Sequence, residues 1–333
     1  MARTEARVRV GGPFFEDFEV GQVFEDAPAL TLTFGHAALH QAIVGDRLRL
    51  ALDISLSEAV TGSSSALLHP NLATDVAIGQ STAPTQRVLG NLFYRGLVLL
   101  RPVFRGDTLR TRTEVVALKQ NRRRDDGTGT GLVALRISTR NQRDEPVLDF
   151  WRCAMIPMGD AFLETGHADR FAGIPEEPDM ERVEAAVPDW RFDVFRARVP
   201  GEHFADVEPG RVYEVEGRDT VTAAPELARL SLNVAYAHTD AGATAHGRRL
   251  VYGGHTIGIA ATHATRALPN LMTILAWRSC DHLRPVFEGD VLASEISVEG
   301  AQPLADAGLV ELRAVTSSER GQVLDWRFVG LMA

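Results

Sequence analysis

The stretch Phe15-Glu-Asp-Phe-Glu-Val-Gly-Gln-Val-Phe24 occurs a second time, lightly altered, as Phe204-Ala-Asp-Val-Glu-Pro-Gly-Arg-Val-Tyr213. Two further pairs keep the same order: Arg101-Pro-Val-Phe-Arg-Gly-Asp107 with Arg284-Pro-Val-Phe-Glu-Gly-Asp290, and Val147-Leu-Asp-Phe150 with Val323-Leu-Asp-Trp326. The separations are 189, 183 and 176 residues (204 minus 15, 284 minus 101, 323 minus 147), so the copies stay in register and differ mainly by insertions in the first. This spacing describes a duplicated domain of moderate size, not a short solenoid repeat. After such a duplication each half changes separately, so differences between the halves carry functional information.

Each copy opens with an extended segment, passes through a helical stretch and a loop, enters a small-residue helix and ends in three strand-like runs. Those runs fall at 108–118, 132–139 and 147–156 in the first copy, and at 291–298, 308–317 and 322–332 in the second. They are rich in Val, Leu and Ile and are separated by Gly, Asp and Pro. Residues 254–267, GHTIGIAATHATRA, are apolar or small nearly all round and stop before Pro269. A helix with so little polar surface belongs in a core, where its Gly and Ala let a sheet wrap closely. Its partner is placed at 77–89, with Pro84 breaking or kinking it. Residues 158–200, rich in Pro, Glu, Asp and Gly, read as a linker between domains at 1–157 and 201–333. One helix embraced by an antiparallel sheet, made twice, is the α+β architecture called a double hotdog.

At 333 residues and 45% hydrophobic the chain can bury two ordinary cores. A formal net charge of -9, with no long basic stripe to neutralise phosphates, argues against a nucleic-acid partner. Arg122, Arg123 and Arg124 are followed at once by Asp125 and Asp126 and read, with Gly127-Thr-Gly-Thr-Gly131, as a solvated hairpin tip. Lysine occurs once, at Lys119, which leaves little material for Schiff-base or Walker-type chemistry. Cys153 and Cys280 are too few for a disulfide framework or a zinc knuckle. His36 and His40 have the i, i+4 spacing of a metal site but no third ligand, and are read as one helix face. With no apolar signal region at the start and no run of membrane-spanning length, a reduced, cytoplasmic, soluble protein without a membrane partner is expected.

The second copy contains Asn233-Val-Ala-Tyr-Ala-His238-Thr-Asp240, then Gly247, then Leu250-Val-Tyr-Gly-Gly-His-Thr-Ile-Gly258. This resembles the MaoC-like dehydratase family, which includes the (R)-specific enoyl-CoA hydratases. The family pattern is Asp-x-Asn-Pro-x-His-x-Asp, followed by a Gly-rich approach to the central hotdog helix. The opening motif and the Val-Phe-Glu-Gly-Asp turn resemble the family too, so the likeness covers nearly the whole chain outside the linker and is similar to the long, two-hotdog members of actinobacteria. The resemblance implies reversible addition of water across a trans-2-enoyl thioester borne by CoA or an acyl carrier, with no metal or redox cofactor. It implies a carboxylate and an imidazole sharing one water, and backbone amides near Gly254 receiving the charge that develops on the thioester oxygen.

The motif departs from that pattern. Aligning on His238 and Asp240 puts Asn233 where the family has its catalytic Asp, Ala235 where it has Asn and Tyr236 where it has Pro. At an offset of 187 (233 minus 46) the first copy keeps Asp46 and Asp53 but has Ala51 in place of the His. Three readings are open. His238 works alone, with Asn233 holding the water and Asp240 or Tyr236 assisting; Asp46 and His238 cooperate across the intramolecular pseudo-dimer; or both sites have decayed and the protein binds acyl thioesters without turning them over. Asn233, Asp46 and Asp53 also have a plain reading as loop caps. Arg47 and Arg49 are read as pairing with Asp46, the other reading being a carboxylate or CoA phosphate. His255, at the start of the central helix, is a ligand-contact candidate whose repeat mate is taken as Gln80 (255 minus 80 is 175). The first half is expected to serve as scaffold and acyl pocket, with Pro84 letting its helix move aside. A hotdog thioesterase is disfavoured, because neither 254–267 nor 77–89 offers an Asp or Glu. The fused halves already make a pseudo-dimer, which leaves a homodimer open.

Overall fold

The computed structural model describes residue 8 and residues 10–333; the remainder of the 1–157 segment, residues 1–7 and 9, lies outside the described residues. The first half contributes β1 (Val23–Phe24), β2 (Leu30–Thr31), α1 (Phe34–Val44), α2 (Arg49–Leu52), α3 (Ile54–Thr61), α4 (Pro70–Gln80), β3 (Gly90–Leu99), β4 (Thr108–Gln120), β5 (Thr130–Arg140) and β6 (Pro146–Pro157). Two short helices follow, α5 (Met180–Ala185) and α6 (Phe192–Arg198). The second half adds β7 (Val212–Glu214), β8 (Asp219–Thr220), α7 (Ala224–Leu230), α8 (Gly253–Ala267), β9 (Leu271–His282), β10 (Val291–Pro303), β11 (Gly308–Ser318) and β12 (Gly321–Met332).

All long strands join one antiparallel sheet in the order β1-β4-β5-β6-β3-β9-β12-β11-β10-β7. The halves meet where β3 pairs with β9, Tyr94 opposite Cys280 and Leu97 opposite Trp277. At an offset of 183 these pairs exchange into one another (277 minus 94, 280 minus 97), the mark of a pseudo-two-fold axis through the seam. The double hotdog expected from the repeat is therefore the fold observed. Residues 158–200 are more than a connector, since Val183 and Phe195 on α5 and α6 are buried in a core with Leu56, Val60 and Met272. Among the described residues no helix is long and apolar enough to cross a membrane.

The two central helices differ in how closely the sequence foretells them. α8 covers the expected segment, with residues 254–265 all buried. α4 lies earlier than 77–89: Pro70 occupies its first turn, His69 accepts a hydrogen bond from the Asn71 amide, and the helix ends at Gln80. Ser81 and Thr82 then bond back to the carbonyls of Ile78 and Gly79, so Pro84 sits in the following turn and kinks nothing. Every residue of α4 is buried, which removes the expectation of a displaceable first helix. It also carries a carboxylate, Asp75, that the misplaced range concealed.

Small residues set how near the halves approach. A Cβ on Gly79 would lie 1.8 Å from the carbonyl oxygen of Ser231. The symmetric place is held by Thr262, whose hydroxyl donates to the Val44 carbonyl at 2.8 Å. Gly79→Ala is expected to lower unfolding free energy by about 1–3 kcal/mol, because the methyl meets backbone rather than a movable side chain. Denaturant unfolding measures this, and an unchanged midpoint would show that the backbone yields.

Candidate active site

The repeat brings the motif loop to the start of a central helix twice. Asp46 Oδ1 accepts from the Leu48 amide at 2.8 Å, and Asn233 Oδ1 accepts from the Ala235 amide at 3.0 Å. These are the same turn at the offset of 187, so the two positions correspond in space as in sequence. Both side chains are buried. The residues that precede α4 and α8 are His69 and Tyr252, related by 183 (252 minus 69).

From there the two places diverge. The second-half loop borders a cavity of about 140 Å³ whose lining includes Asn233, His238, Gly253 and His282, with Tyr94 and Arg152 from the first half. The symmetric crevice, lined by Leu68, Pro70, Leu99 and Arg101 among others, holds only about 20 Å³. Leu99 stands where the open site has His282 (282 minus 99 is 183), and Ala51 where it has His238 (238 minus 51 is 187). One site is open and imidazole-bearing; the other has closed.

His238 ends a short 3-10 turn (Tyr236–His238) and is half-buried. Its Nδ1 lies 3.0 Å from the Leu250 carbonyl, which can only accept, so Nδ1 carries the proton and Nε2 keeps a lone pair. Burial pushes its pKa below the ordinary 6.5, so the ring is a neutral base near pH 7. Asn233 has spent its oxygen on the Ala235 amide and offers Nδ2 as a donor. Gly253 lines the cavity, and the first-turn amides of Gly253 and Gly254 lack a backbone partner among the described residues, leaving the positive end of α8 directed at the site. His282 is driven to about 4 by burial, and its Nε2 has no hydrogen-bond partner among the described residues.

Several expected site residues lie elsewhere. Asp46 meets His69 Nε2 at 3.2 Å in the closed site and does not join His238. Its partner is not an arginine, since Arg49 donates to the Pro269 carbonyl and Asn270 Oδ1, while Arg47 is exposed. Asp240 is an exposed cap that accepts from the Gly242 amide, and Asp53 caps α3 through the Leu56 amide. Tyr236 packs against Gly11 and Arg87 outside the cavity. Gly254 sits one residue beyond the lining, and a Cβ there would lie 1.9 Å from Asp75 Oδ1, so it is the point where α4 and α8 touch. His255 is wholly buried away from the cavity, and neither ring nitrogen has a hydrogen-bond partner among the described residues.

The helix shift also corrects the pairing of His255 with Gln80. At 183 the mate of His255 is Leu72, and Gln80 matches His263. Gln80 accepts from Thr111, which bonds Thr139; His263 bonds Ser294, which bonds Thr316. This layer ties each helix end to its sheet with different side chains of like reach, so His263 with Ser294 and Asp219 is a structural bracket. Asp75, though on a central helix, is buried 3.5 Å from His40 and outside the cavity, so it offers a thioester there no nucleophile. His36 bonds Thr33 while His40 turns inward, and no cluster of three metal-ligating side chains occurs among the described residues.

Arg152 and His282 were not foreseen. The signal was available, since Phe328 and Leu99 occupy their places in the other half, at offsets of 176 and 183.

No family model matches the chain. It is 30% identical to the mesaconyl-CoA hydratase of Cereibacter sphaeroides, over 94% of each chain. It is likewise 30% identical to the β-methylmalyl-CoA dehydratase of Chloroflexus aurantiacus, over 93% of this chain and 89% of the relative. Among solved structures, a conserved protein of Mycobacterium tuberculosis described as a double hotdog is 50% identical with a TM-score of 0.90, covering 98% of this chain and 100% of that one. A Chloroflexus aurantiacus protein described as a MaoC domain dehydratase is 25% identical with a TM-score of 0.87, over 98% and 99%.

Proposed function

Because the chain belongs to the MaoC-like family of CoA-thioester hydratases and dehydratases, we propose that its second-half cavity hydrates a short-chain 2-enoyl-CoA, or dehydrates the corresponding 3-hydroxyacyl-CoA, with His238 as the acid–base. Mesaconyl-CoA and β-methylmalyl-CoA, the compounds in the names of the two relatives, are the first candidates.

The observation that carries this reading is the unengaged Nε2 of His238, a neutral base held in an open cavity at the start of α8. A water bound between that nitrogen and the Asn233 amide loses a proton to His238 as its oxygen bonds to the β-carbon. The double-bond electrons move toward the thioester oxygen, where the Gly253 amide at the positive end of α8 receives the charge. His238 then returns the proton to the α-carbon, so one imidazole does in turn what the family divides between imidazole and carboxylate. The exposed Arg284 lines the cavity without an ion pair among the described residues, whereas its mate Arg101 is held by Glu145 at 3.2 Å; Arg284 is thus free for a CoA phosphate. Both walls of the cavity come from one chain, so this reading needs no second copy. It places the reaction in the cytoplasm and asks for no metal or redox cofactor, the thioester being the substrate.

About 140 Å³ accommodates roughly five water-sized groups, which suits a short acyl chain. Across a series of 2-enoyl-CoA thioesters, kcat/KM is expected to fall at least about 10-fold from short to long chains, with loss of enoyl absorbance and no release of free CoA. Thioester binding without turnover across the whole series would favour the non-catalytic alternative, and free CoA would favour a thioesterase.

A further inference from the structure

Arg152 on β6 is 1% exposed, one of the largest fully buried side chains of the molecule. Its Nε donates to Ser81 Oγ, its Nη2 to the Ser81 carbonyl and Thr85 Oγ1, and its Nη1 to Asn91 Oδ1. All four acceptors are neutral, and no carboxylate lies within ion-pair distance of it among the described residues. Four of the five N–H groups are engaged, which leaves one on Nη1. Arg152 lines the cavity that holds His238, as does Asn91, the acceptor of its Nη1.

The other half shows that the fold does not require this charge. Phe328 fills the symmetric place (328 minus 152 is 176), buried and stacked on Trp326 at 4.0 Å between ring centres. The mate of Ser81, which supplies two of the four acceptors, is Ala264 (264 minus 81 is 183). Cation and cradle belong to the first half, which walls the open cavity of the second-half loop; their second-half counterparts Phe328 and Ala264 carry neither a charge nor a hydroxyl. A buried guanidinium without a counter-ion is unfavourable unless an anion arrives with the ligand. Among the described residues no Asp or Glu lines the cavity, and its two arginines stand apart in exposure, Arg284 at the surface and Arg152 in the interior.

We propose that Arg152 seats a second carboxylate on the acyl group, so that the site selects dicarboxylic 2-enoyl thioesters over uncharged ones of the same length. This rests on the hydration reading of the same cavity, and it adds the residue and charge that set specificity. The carboxylate takes the remaining Nη1–H in a charge-assisted bond, away from the thioester carbonyl at the start of α8.

The test compares, on the wild-type protein, a 2-enoyl-CoA bearing a distal carboxylate with its methyl ester, and repeats both with Arg152→Gln. The wild type is expected to prefer the carboxylate about 100-fold in kcat/KM. Arg152→Gln should remove that preference by raising KM of the charged substrate far more than that of the ester, a selective change that misfolding cannot produce. Equal turnover of both substrates by the wild type overturns the proposal, as does an equal loss on both in the variant. Should the variant not fold, Arg284→Gln decides: a carboxylate preference that persists there supports Arg152, and one that disappears overturns the proposal. If the wild type turns over neither, hydration fails, and thermal shift of Arg284→Gln decides for Arg152: a larger rise in Tm with the charged thioester supports it and an equal rise overturns it.

Discussion

Replacing His238 by alanine will lower kcat/KM by about 10³-fold while the fold and thioester binding persist. The residue is half-buried on a surface turn, and its Nδ1 bond to Leu250 is a single neutral hydrogen bond of about 1 kcal/mol. Alanine already occupies the corresponding position in the first half, at Ala51, so this turn has accommodated it once. What goes is the base. Since burial holds the His238 pKa below the ordinary 6.5, the rate should be level through neutrality and fall only on the acid side, as Nε2 takes up a proton. Asp46→Ala supplies the contrast. Removing that carboxylate leaves buried His69 Nε2 unpaired in the closed site, so stability should fall while kcat stays within about 3-fold of wild type. Turnover that survives in His238→Ala and dies in Asp46→Ala would transfer the chemistry to the first half.

The repeat made the architecture legible, because three landmarks in register fix two equivalent domains before any element is assigned. It also made the motif legible, since the offset of 187 brings Asp46 and Asn233 to the same turn in space. The first central helix was less so. Residues 70–80 are buried all round, so they show no amphipathic period, and Asn71 and Asp75 give them a polar look that hides a core helix. Misplacing α4 then propagated, pairing His255 with Gln80 and hiding the carboxylate of Asp75. Chain proximity misled for Arg49, which lies three residues from Asp46 but points to the end of α8. Arg152 and His282 come from strands far from the motif, and only a comparison of the halves position by position singles them out.

Below pH 6.5 the protein is expected to lose stability steeply, before its carboxylates titrate. His69 and His255 are both buried, and desolvation drives each to about 4, with the nearby His40 adding to the shift of both. In the unfolded chain a histidine takes up its proton near 6.5. Between 6.5 and 4 the unfolded state therefore binds more protons than the folded one, so stability is fully present above 6.5 and drains away as pH falls toward 4. A fall from 6.5 to about 4 corresponds to roughly 3 kcal/mol for each ring, and two such rings approach the whole stability of a typical domain, about 5–15 kcal/mol. His282 acts in the same direction. Asp75 opposes them: burial raises its pKa, so it contributes most when protonated and offsets part of the loss at the acid end. His255 makes this testable, because its nitrogens have no partners among the described residues and its mate across the pseudo-two-fold is the buried Leu72. His255→Leu should stabilise the protein by about 2 kcal/mol at pH 5 relative to its effect at pH 8, with enoyl-CoA turnover unchanged because the ring lies outside the cavity. Unfolding free energy measured across that range decides it, and a gain of the same size at both pH values would mean that His255 is not the neutral, buried ring described.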